Sequence, residues 1–338
     1  MATADVTVMG AGVFGLSVAY ACARRRASVR VIDPNGVASG SSGGVVGALA
    51  PHVPENWNEK KAFQFDSLIM AERFWRDVEA LTGADVGYAR SGRLQPLADE
   101  HAVSLARGRA ESAQALWQGK AVWEVVAAGD ATWMPPSPSG LVVRDTLSAL
   151  IHPRRATRAL ADAVIALGGE VLADGASEGK TVWATGWPGM KEIGGNGVKG
   201  QAALLRFDAA GQPQLFADAL HIIPHGDGTV AVGSTSERDF DDPTGTDAAL
   251  DDVLARAYAA FPVLKGAEVI ARWAGVRPRS KSRAPVLGLH PTRAGDYIAN
   301  GGFKIGFGMA PKVGEVMADL VLDGRNVIPD GFRVSPKF

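Results

Sequence analysis

The sequence predicts an α/β protein: a Rossmann-like nucleotide-binding domain joined to a second domain with a mainly antiparallel β-sheet. Three observations carry this expectation. A strand-like run, the turn Gly10-Ala-Gly12-Val13-Phe14-Gly15, a helical run and a second strand open the chain. That order is a βαβ unit, whose crossover makes the two strands parallel neighbours. His221 to Val232 has strand character around Gly226-Asp227-Gly228, the mark of a hairpin in an antiparallel sheet. Towards the C-terminus the chain returns to strand, glycine loop and helix.

Taken in order, Val6–Met9 is β-rich, Leu16–Arg26 has helix-forming composition, and Val29–Ile32 is the second strand. Val6 to Ala23 is uncharged and long enough to pass a crude membrane filter of about 18–20 residues. It holds three glycines, however, and its basic run, Arg24-Arg25-Arg26, follows the apolar part instead of preceding it as a signal peptide requires. A buried strand and helix are expected, with no integral membrane segment. From Glu59 to Leu81, Leu68, Ala71, Trp75 and Val78 recur at helical spacing, and Phe74 and Leu81 widen the stripe. Between Val86 and Leu97 a turn at Gly92 predicts a hairpin.

After the Pro-rich loop Met134 to Gly140, Pro153 to Leu167 reads as a helix with Pro near its start and Gly168-Gly169 at its end. Leu160, Val164 and Leu167 fall on one side of it. Strands follow at Glu170–Leu172 and Thr181–Trp183, a helix at Leu250–Phe261, a strand at Asp296–Ala299 and a helix from Met309 to Leu322.

Composition narrows the function. At 338 residues the chain has room for about two domains. With 35 Lys+Arg against 36 Asp+Glu there is no excess of positive charge to neutralise a phosphate backbone, so no nucleic-acid partner is expected. Hydrophobic residues at 46% and charged residues at 21% predict a chain that folds throughout. Cys22, the one cysteine, excludes an internal disulfide and any multi-cysteine metal site, and fits a reducing, cytoplasmic location. His225 and His290 lie near turns without metal-ligand spacing, and no metal is expected.

The fingerprint has a mechanical reading. Gly10 permits a tight turn, Gly12 lets backbone approach a pyrophosphate, and Gly15 allows close helix–strand packing. Asp33, followed by Pro34, closes the second strand 18 residues after Gly15, where it can accept from a ribose hydroxyl. By itself this does not separate NAD from FAD. Ala38 to Ala48 then lays small residues side by side. Ser39, Ser41 and Ser42 can donate to phosphate oxygens, and Gly43, Gly44 and Val45 can set bare backbone against a flat ligand. The alternative is a flexible surface linker. The loop Gly301-Gly302-Phe303-Lys304-Ile305-Gly306, just before a helix, offers N–H groups and a positive helix end for negative charge.

With these residues in hand, the chain resembles the FAD-dependent amine and amino acid oxidases that include the glycine oxidase, D-amino acid oxidase and sarcosine oxidase branches, and glycine oxidase most of all. The resemblance adds to the fingerprint and Ser/Gly segment Ile151-His-Pro153, Trp183-Ala-Thr-Gly186, Val198-Lys-Gly-Gln201, His221-Ile-Ile-Pro224 with Val232-Gly-Ser-Thr235, Trp273 to Pro278, Ala284 to Gly288, and the 301–306 loop. It implies a GR2-type flavoprotein whose FAD-binding domain is assembled from 1–55, 141–200 and 271–338, with 56–140 and 201–270 forming the substrate domain. Val171 and Gly186 join the implied cofactor contacts. No cysteine stands where sarcosine oxidase tethers its flavin, so a non-covalent FAD is implied.

In this family the arginine of Gly-x-Arg-Pro, here Arg277, grips the substrate carboxylate; a guanidinium fork suits that task, and a structural salt bridge is the alternative. His221 stands where glycine oxidase has a tyrosine, and Lys304 where it has an arginine. Unlike tyrosine, a histidine can titrate near neutral pH. His52 either lines the pocket or is an inert loop residue. Arg279, Lys281 and Arg283 either favour a substrate with a second acid group or form a solvated turn. The implied reaction oxidises the C–N bond of a small amino acid or N-alkyl amino acid by hydride transfer to flavin N5, with O2 as acceptor and H2O2 as product. A dehydrogenase of the same fold that feeds a quinone or carrier, and a non-catalytic flavin-binding protein, are the alternatives. A homo-oligomer is compatible with all three.

Overall fold

In the computed structural model, which describes residues 4–333, the strands fall into two large sheets and one small one. Residues 1–3 and 334–338, the outer ends of the first and last predicted segments, lie outside the described residues. In chain order the first strands are β1 (Val6–Met9), β2 (Val29–Ile32), β3 (Ala48–Leu49), β4 (Arg93–Pro96), β5 (Trp123–Ala127), β6 (Leu141–Asp145), β7 (Ala149–Leu150), β8 (Glu170–Leu172) and β9 (Lys180–Trp183). They continue with β10 (Asn196–Arg206), β11 (Gln214–Ala217), β12 (Leu220–Pro224), β13 (Thr229–Gly233), β14 (Glu268–Arg279), β15 (Val286–Leu289) and β16 (Tyr297–Asn300). The α-helices are α1 (Val13–Arg24), α2 (Glu59–Thr82), α3 (Glu100–Leu116), α4 (Pro153–Ala166), α5 (Gly186–Glu192), α6 (Ala248–Ala260) and α7 (Gly306–Asp323).

The nucleotide sheet has the order β15-β16-β9-β1-β2-β8, parallel except for β15. Its central strand β1 is covered on both faces, which is why Val6–Met9 reads as continuous rather than alternating hydrophobicity. Helix α1 starts at Val13, three residues before the expected start, and is buried from Val13 to Ala23. Burial all round explains why the Val6–Ala23 stretch carries no charge. Among the described residues no helix is long and apolar enough to cross a membrane.

The second sheet has the order β14-β10-β13-β12-β11-β4-β6-β5, antiparallel except where β11 meets β4. The predicted 221–232 hairpin is β12–β13, with His221 opposite Gly233. Strands β6, much of β10 and much of β14 belong to this sheet although the sequence boundaries put 141–200 and 271–338 with the nucleotide fold.

The predicted hairpin at 86–97 does not form. Ala89 bridges to Leu150 of β7, while β4 pairs with β6 and β11. Gly92, at φ +81, turns the chain past Asp145 O, only 2.5 Å from where a Cβ would sit, and so passes it between partners instead of folding it back. Leu81 and Leu167, counted on the buried sides of their helices, are 39% and 37% exposed at the helix ends. Helix α3 and strands β10 and β14 escape the sequence reading because glycine, charge and tryptophan interrupt the apolar period along them.

Candidate active site

The fingerprint glycines are demanded by their neighbours. Gly10 has φ +115, and a Cβ there would stand 2.4 Å from Ala184 O; one on Gly15 would stand 2.0 Å from Gly10 O. The turn therefore lies flat on β9 and the start of α1. Ser42 Oγ accepts from the Val13 N–H at 3.0 Å and joins the Ser/Gly segment to the helix N-terminus. That segment is not a loose linker. Thr157 Oγ1 donates to Ser42 O (3.3 Å), Arg154 Nε donates to Gly43 O (3.2 Å), and Gly44 lies against the Trp273 ring. Val45 is buried, its carbonyl 2.9 Å from His225 Nε2. Ser41 is half-buried, and Ser39 and Pro34 are exposed. Asp33, read as a ribose acceptor, spends both oxygens on backbone: Oδ2 accepts from Ala11 N (2.9 Å) and Oδ1 from Asn35 N (3.0 Å). Its first role is to shape the turn.

Helix capping separates two groups of helices. Asn58, Asp99 and Asp247 cap α2, α3 and α6 with their side chains, and each has an acidic residue in its first turn. Helices α1, α4, α5 and α7 have neither. Of these, α1 and α7 follow the glycine loops: with the Val13 N–H taken by Ser42 Oγ, the N–H groups of Phe14 and Gly15 and the start of α7 remain, with the positive helix ends, for an anion. In front of α7, Gly301 (φ +78) and Gly302 run into Phe303 (φ +44), whose N–H donates to Pro278 O at 3.1 Å, and Ile305 N–H closes the turn on Gly302 O at 2.9 Å. A Cβ on Gly302 would meet Phe14 at 3.1 Å, so Phe14 of the fingerprint and the C-terminal loop touch. Gly186 (φ +66) has open space where a side chain would go, and Val171 lies half-buried beside Val31 on β8. The starts of α1 and α7, each following a bare-backbone glycine loop, fit an extended dinucleotide with a flat ring system. Cys22 is buried in α1, its thiol pushed up to about 12 by burial, and offers no thiolate for a covalent link.

Arg277 on β14 and His221 on β12 lie in the large sheet, and Lys304 in the 301–306 loop is near enough for its charge to reach His221 and for that of Arg277 to reach it. Arg277 Nη2 donates to Ser234 Oγ at 2.6 Å and Nη1 to Thr235 O at 3.3 Å. Among the described residues it makes no ion pair. Burial pulls its pKa down to about 10 against the opposing charge of Glu237. His221 packs on Phe216, ring centroids 4.9 Å apart, with Nδ1 buried and without a hydrogen-bond partner. Burial, and then the cations Arg93, Lys304 and Arg277, push its pKa down to about 3. These surroundings favour the neutral imidazole at this position. Lys304, its Nζ 5.8 Å from the Phe303 ring centre, is held below its ordinary value by partial burial and by Arg277 and Arg283.

His52 does not join this group. Its backbone N–H donates to Gln64 Oε1 at 2.8 Å, Nδ1 contacts the same oxygen, and the charges it feels are Lys60 and Lys61. Sequence reasoning held Gly200, Ser234 and Thr235 only inside the Val198–Gln201 and Val232–Thr235 motifs, without a role, and missed Arg93. Arg93 is buried beside Asp145 (2.9 Å) and lies over Phe216, behind His221. A glycine inside a strand is the available signal for Gly200, since it marks close approach of another group. Among the described residues no cluster of side chains could hold a metal ion.

The sequence pattern described as FAD dependent oxidoreductase matches residues 5–320. The glycine oxidase of Bacillus subtilis is 24% identical over 371 residues, covering 98% of this chain and 97% of that protein. Glycine oxidase from Geobacillus kaustophilus superposes with a TM-score of 0.85 at 21% identity, covering 99% of both chains. L-proline dehydrogenase from P. horikoshii does so with 0.80 at 21% identity, over 97% of this chain and 95% of that one. The uncapped helix ends, the pinned glycine segments and a match that runs almost from end to end lead to one conclusion: the chain belongs to the FAD-dependent oxidoreductase family.

Proposed function

We propose that this oxidoreductase oxidises the C–N bond of a small amino acid or N-alkyl amino acid, bound by its carboxylate to Arg277. One observation carries the reading: a guanidinium set against Gly200 and Ser234 has no carboxylate partner among the described residues. A charge taken from water without a partner is costly, and an incoming carboxylate supplies two parallel charge-assisted bonds. So anchored, the substrate has few remaining orientations for its Cα–H bond.

FAD, when bound along α1, the Ser/Gly segment and the 301–306 loop, supplies the hydride acceptor at N5. It is held without a covalent bond, in keeping with the buried Cys22. His221, a half-buried ring held towards its neutral form, receives the substrate amine through Nε2, since Nδ1 is buried. The cations around it, Arg93, Lys304 and Arg277, favour loss of the ammonium proton before the hydride leaves. Water then hydrolyses the imine to an oxo acid and ammonia, or to an aldehyde and a shorter amine. Dioxygen takes the two electrons and two protons and departs as hydrogen peroxide, with Lys304 stabilising developing negative charge on oxygen. In this reading the nucleotide sheet carries the cofactor and the eight-stranded sheet roofs the substrate.

Anaerobic mixing with glycine, sarcosine, D-amino acids, cyclic imino acids and acidic amino acids tests the proposal at the flavin absorbance. At least one is expected to bleach it with saturation, and Arg277→Met is expected to abolish saturation. A protein bleached by none, or an Arg277→Met variant that saturates as before, overturns the reading. Because the fold is shared with an L-proline dehydrogenase, a second acceptor reading stands: electrons pass to a carrier. Oxygen uptake matched by peroxide separates the two.

A further inference from the structure

Arg277 accounts for one carboxylate, yet the same rim holds more positive charge than one carboxylate needs. The Phe303 N–H bond to Pro278 O at 3.1 Å ties the 301–306 loop to β14 one residue beyond Arg277. The Phe303 ring then has Arg279 Cζ at 5.9 Å and Lys304 Nζ at 5.8 Å. Arg283 sits in the turn between β14 and β15, its N–H donating to Ser280 O at 3.2 Å and its carbonyl accepting from Lys60 Nζ at 3.3 Å. Ser280 Oγ braces that turn by donating to Ala284 O at 2.6 Å. Arg283 is held at φ +60, where a residue with a side chain is uncommon, and it is an exposed residue.

Four segments thus place Lys60, Arg277, Arg279, Arg283 and Lys304 along one rim, and none of the five makes an ion pair among the described residues. The chain is otherwise balanced at 35 basic and 36 acidic residues, so the excess is local. Lys304 feels Arg277 and Arg283, and Lys60 feels Arg283 and Lys61, each drawn below its ordinary pKa by burial first and by these neighbours next. Glu237, the carboxylate whose charge reaches Arg277, is shared with Lys199 (3.9 Å) and Gln201 (3.1 Å) on β10. Crowded cations without counter-charge favour an anion from outside.

We propose that the substrate carries a second acidic group beyond the α-carboxylate held by Arg277, and that Arg283, with Lys304 beside it, receives that group. The proposal rests on the amino-acid reading of the cleft and names the substrate class within it: dianionic amino or N-carboxyalkyl amino acids. Arg283 is then a specificity residue, outside the reacting atoms.

The test uses the FAD-loaded protein and isosteric pairs that differ by one charge: aspartate and asparagine, and glutamate and glutamine, in both hands, and N-carboxymethylglycine and its monoamide. Flavin reduction is followed anaerobically. The acid of at least one pair is expected to exceed its amide in limiting reduction rate divided by half-saturating concentration, and Arg283→Gln to lower that acid-to-amide ratio about tenfold, the size of one charge-assisted contact. Arg283→Lys, which keeps the charge, is expected to restore most of it. If neutral amino acids or amides reduce the flavin as well as the acids do, or the ratio is the same in Arg283→Gln, the second-anion proposal fails while the amino-acid reading stands. If no amino acid of any charge reduces it, the broader reading fails first.

Discussion

The guanidinium of Arg277 lies flat against Gly200: a Cβ on residue 200 would sit 2.0 Å from Nη2, 2.1 Å from Nη1 and 2.2 Å from Cζ. Gly200 pairs with Gly275 across the β10–β14 ladder, two residues before Arg277 on its own strand. The missing side chain is thus the space in which the Arg277 guanidinium rests.

Gly200→Ala should consequently separate folding from binding. Alanine suits a strand interior better than glycine by about 0.5–1 kcal/mol in backbone entropy, so the protein should fold with its β10–β14 pairing intact. The displaced fork should raise KM for the amino acid substrate at least about tenfold, the cost of one lost charge-assisted bond. Steady-state kinetics on the FAD-loaded variant decide it. An unchanged KM refutes the seat.

Lys304→Met should leave anaerobic reduction of the flavin by substrate measurable while slowing its reoxidation by dioxygen. Removing one ammonium near a developing oxygen anion should cost about tenfold in rate or more. Stopped-flow mixing of the reduced variant with oxygenated buffer measures this directly. A reoxidation rate equal to the parent's removes Lys304 from the oxygen half-reaction.

Ser42→Ala removes the hydroxyl that accepts from Val13 N–H at 3.0 Å. Such a bond at a helix start contributes roughly 1 kcal/mol, so FAD should bind the apoprotein about fivefold more weakly. Titration of apoprotein with FAD gives the constant, and circular dichroism reports whether the helices persist. Equal affinity in parent and variant would show that the hydroxyl does not order the turn for the nucleotide.

Acid should destabilise the protein in a defined window. His152 and His225 stack with ring centroids 4.9 Å apart, and Nδ1 of each is buried without a hydrogen-bond partner. Burial first, then the charges of His225, Arg155 and Arg154 opposed by Asp227, hold His152 down to about 4, against an ordinary value near 6.5. The unfolded chain therefore binds the proton more readily. Stability contributed by the neutral ring is present above about pH 6.5 and is lost as pH falls towards about 4, where both states are protonated. His221, pushed down to about 3, acts in the same direction. Thermal unfolding of the apoprotein at intervals from pH 7.5 to pH 4.5 should show Tm falling, with a shallower fall for His152→Asn. A profile for that variant parallel to the parent's would contradict the assignment.

Much of the nucleotide half was legible in one dimension. Gly10, Gly12 and Gly15 stand at fixed spacing because all three lie on the single turn between β1 and α1, so their spacing reports the turn even though Ala184 and Ser42, which crowd Gly10 and Gly12, are distant in sequence. The 301–306 loop was visible for the same reason, and the β12–β13 hairpin announced itself through a turn between two alternating runs. Where neighbours in space are distant in sequence, that legibility ended. The false hairpin at Gly92 arose because its glycine serves Asp145, more than fifty positions away, and not the adjoining strand.

The amino-acid sequence by itself determined the βαβ unit, the two glycine tracks and the identity of Arg277 as a candidate anchor, all through short-range spacing of residue types. Tertiary structure alone decided that the surroundings of His221 favour the neutral ring, that His52 is tied to Gln64 and that Gly200 makes the seat for the guanidinium. The physical reason is that protonation and steric fit depend on desolvation and on charges contributed by separate strands, quantities that exist only once β10, β12, β14 and the 301–306 loop have been packed together.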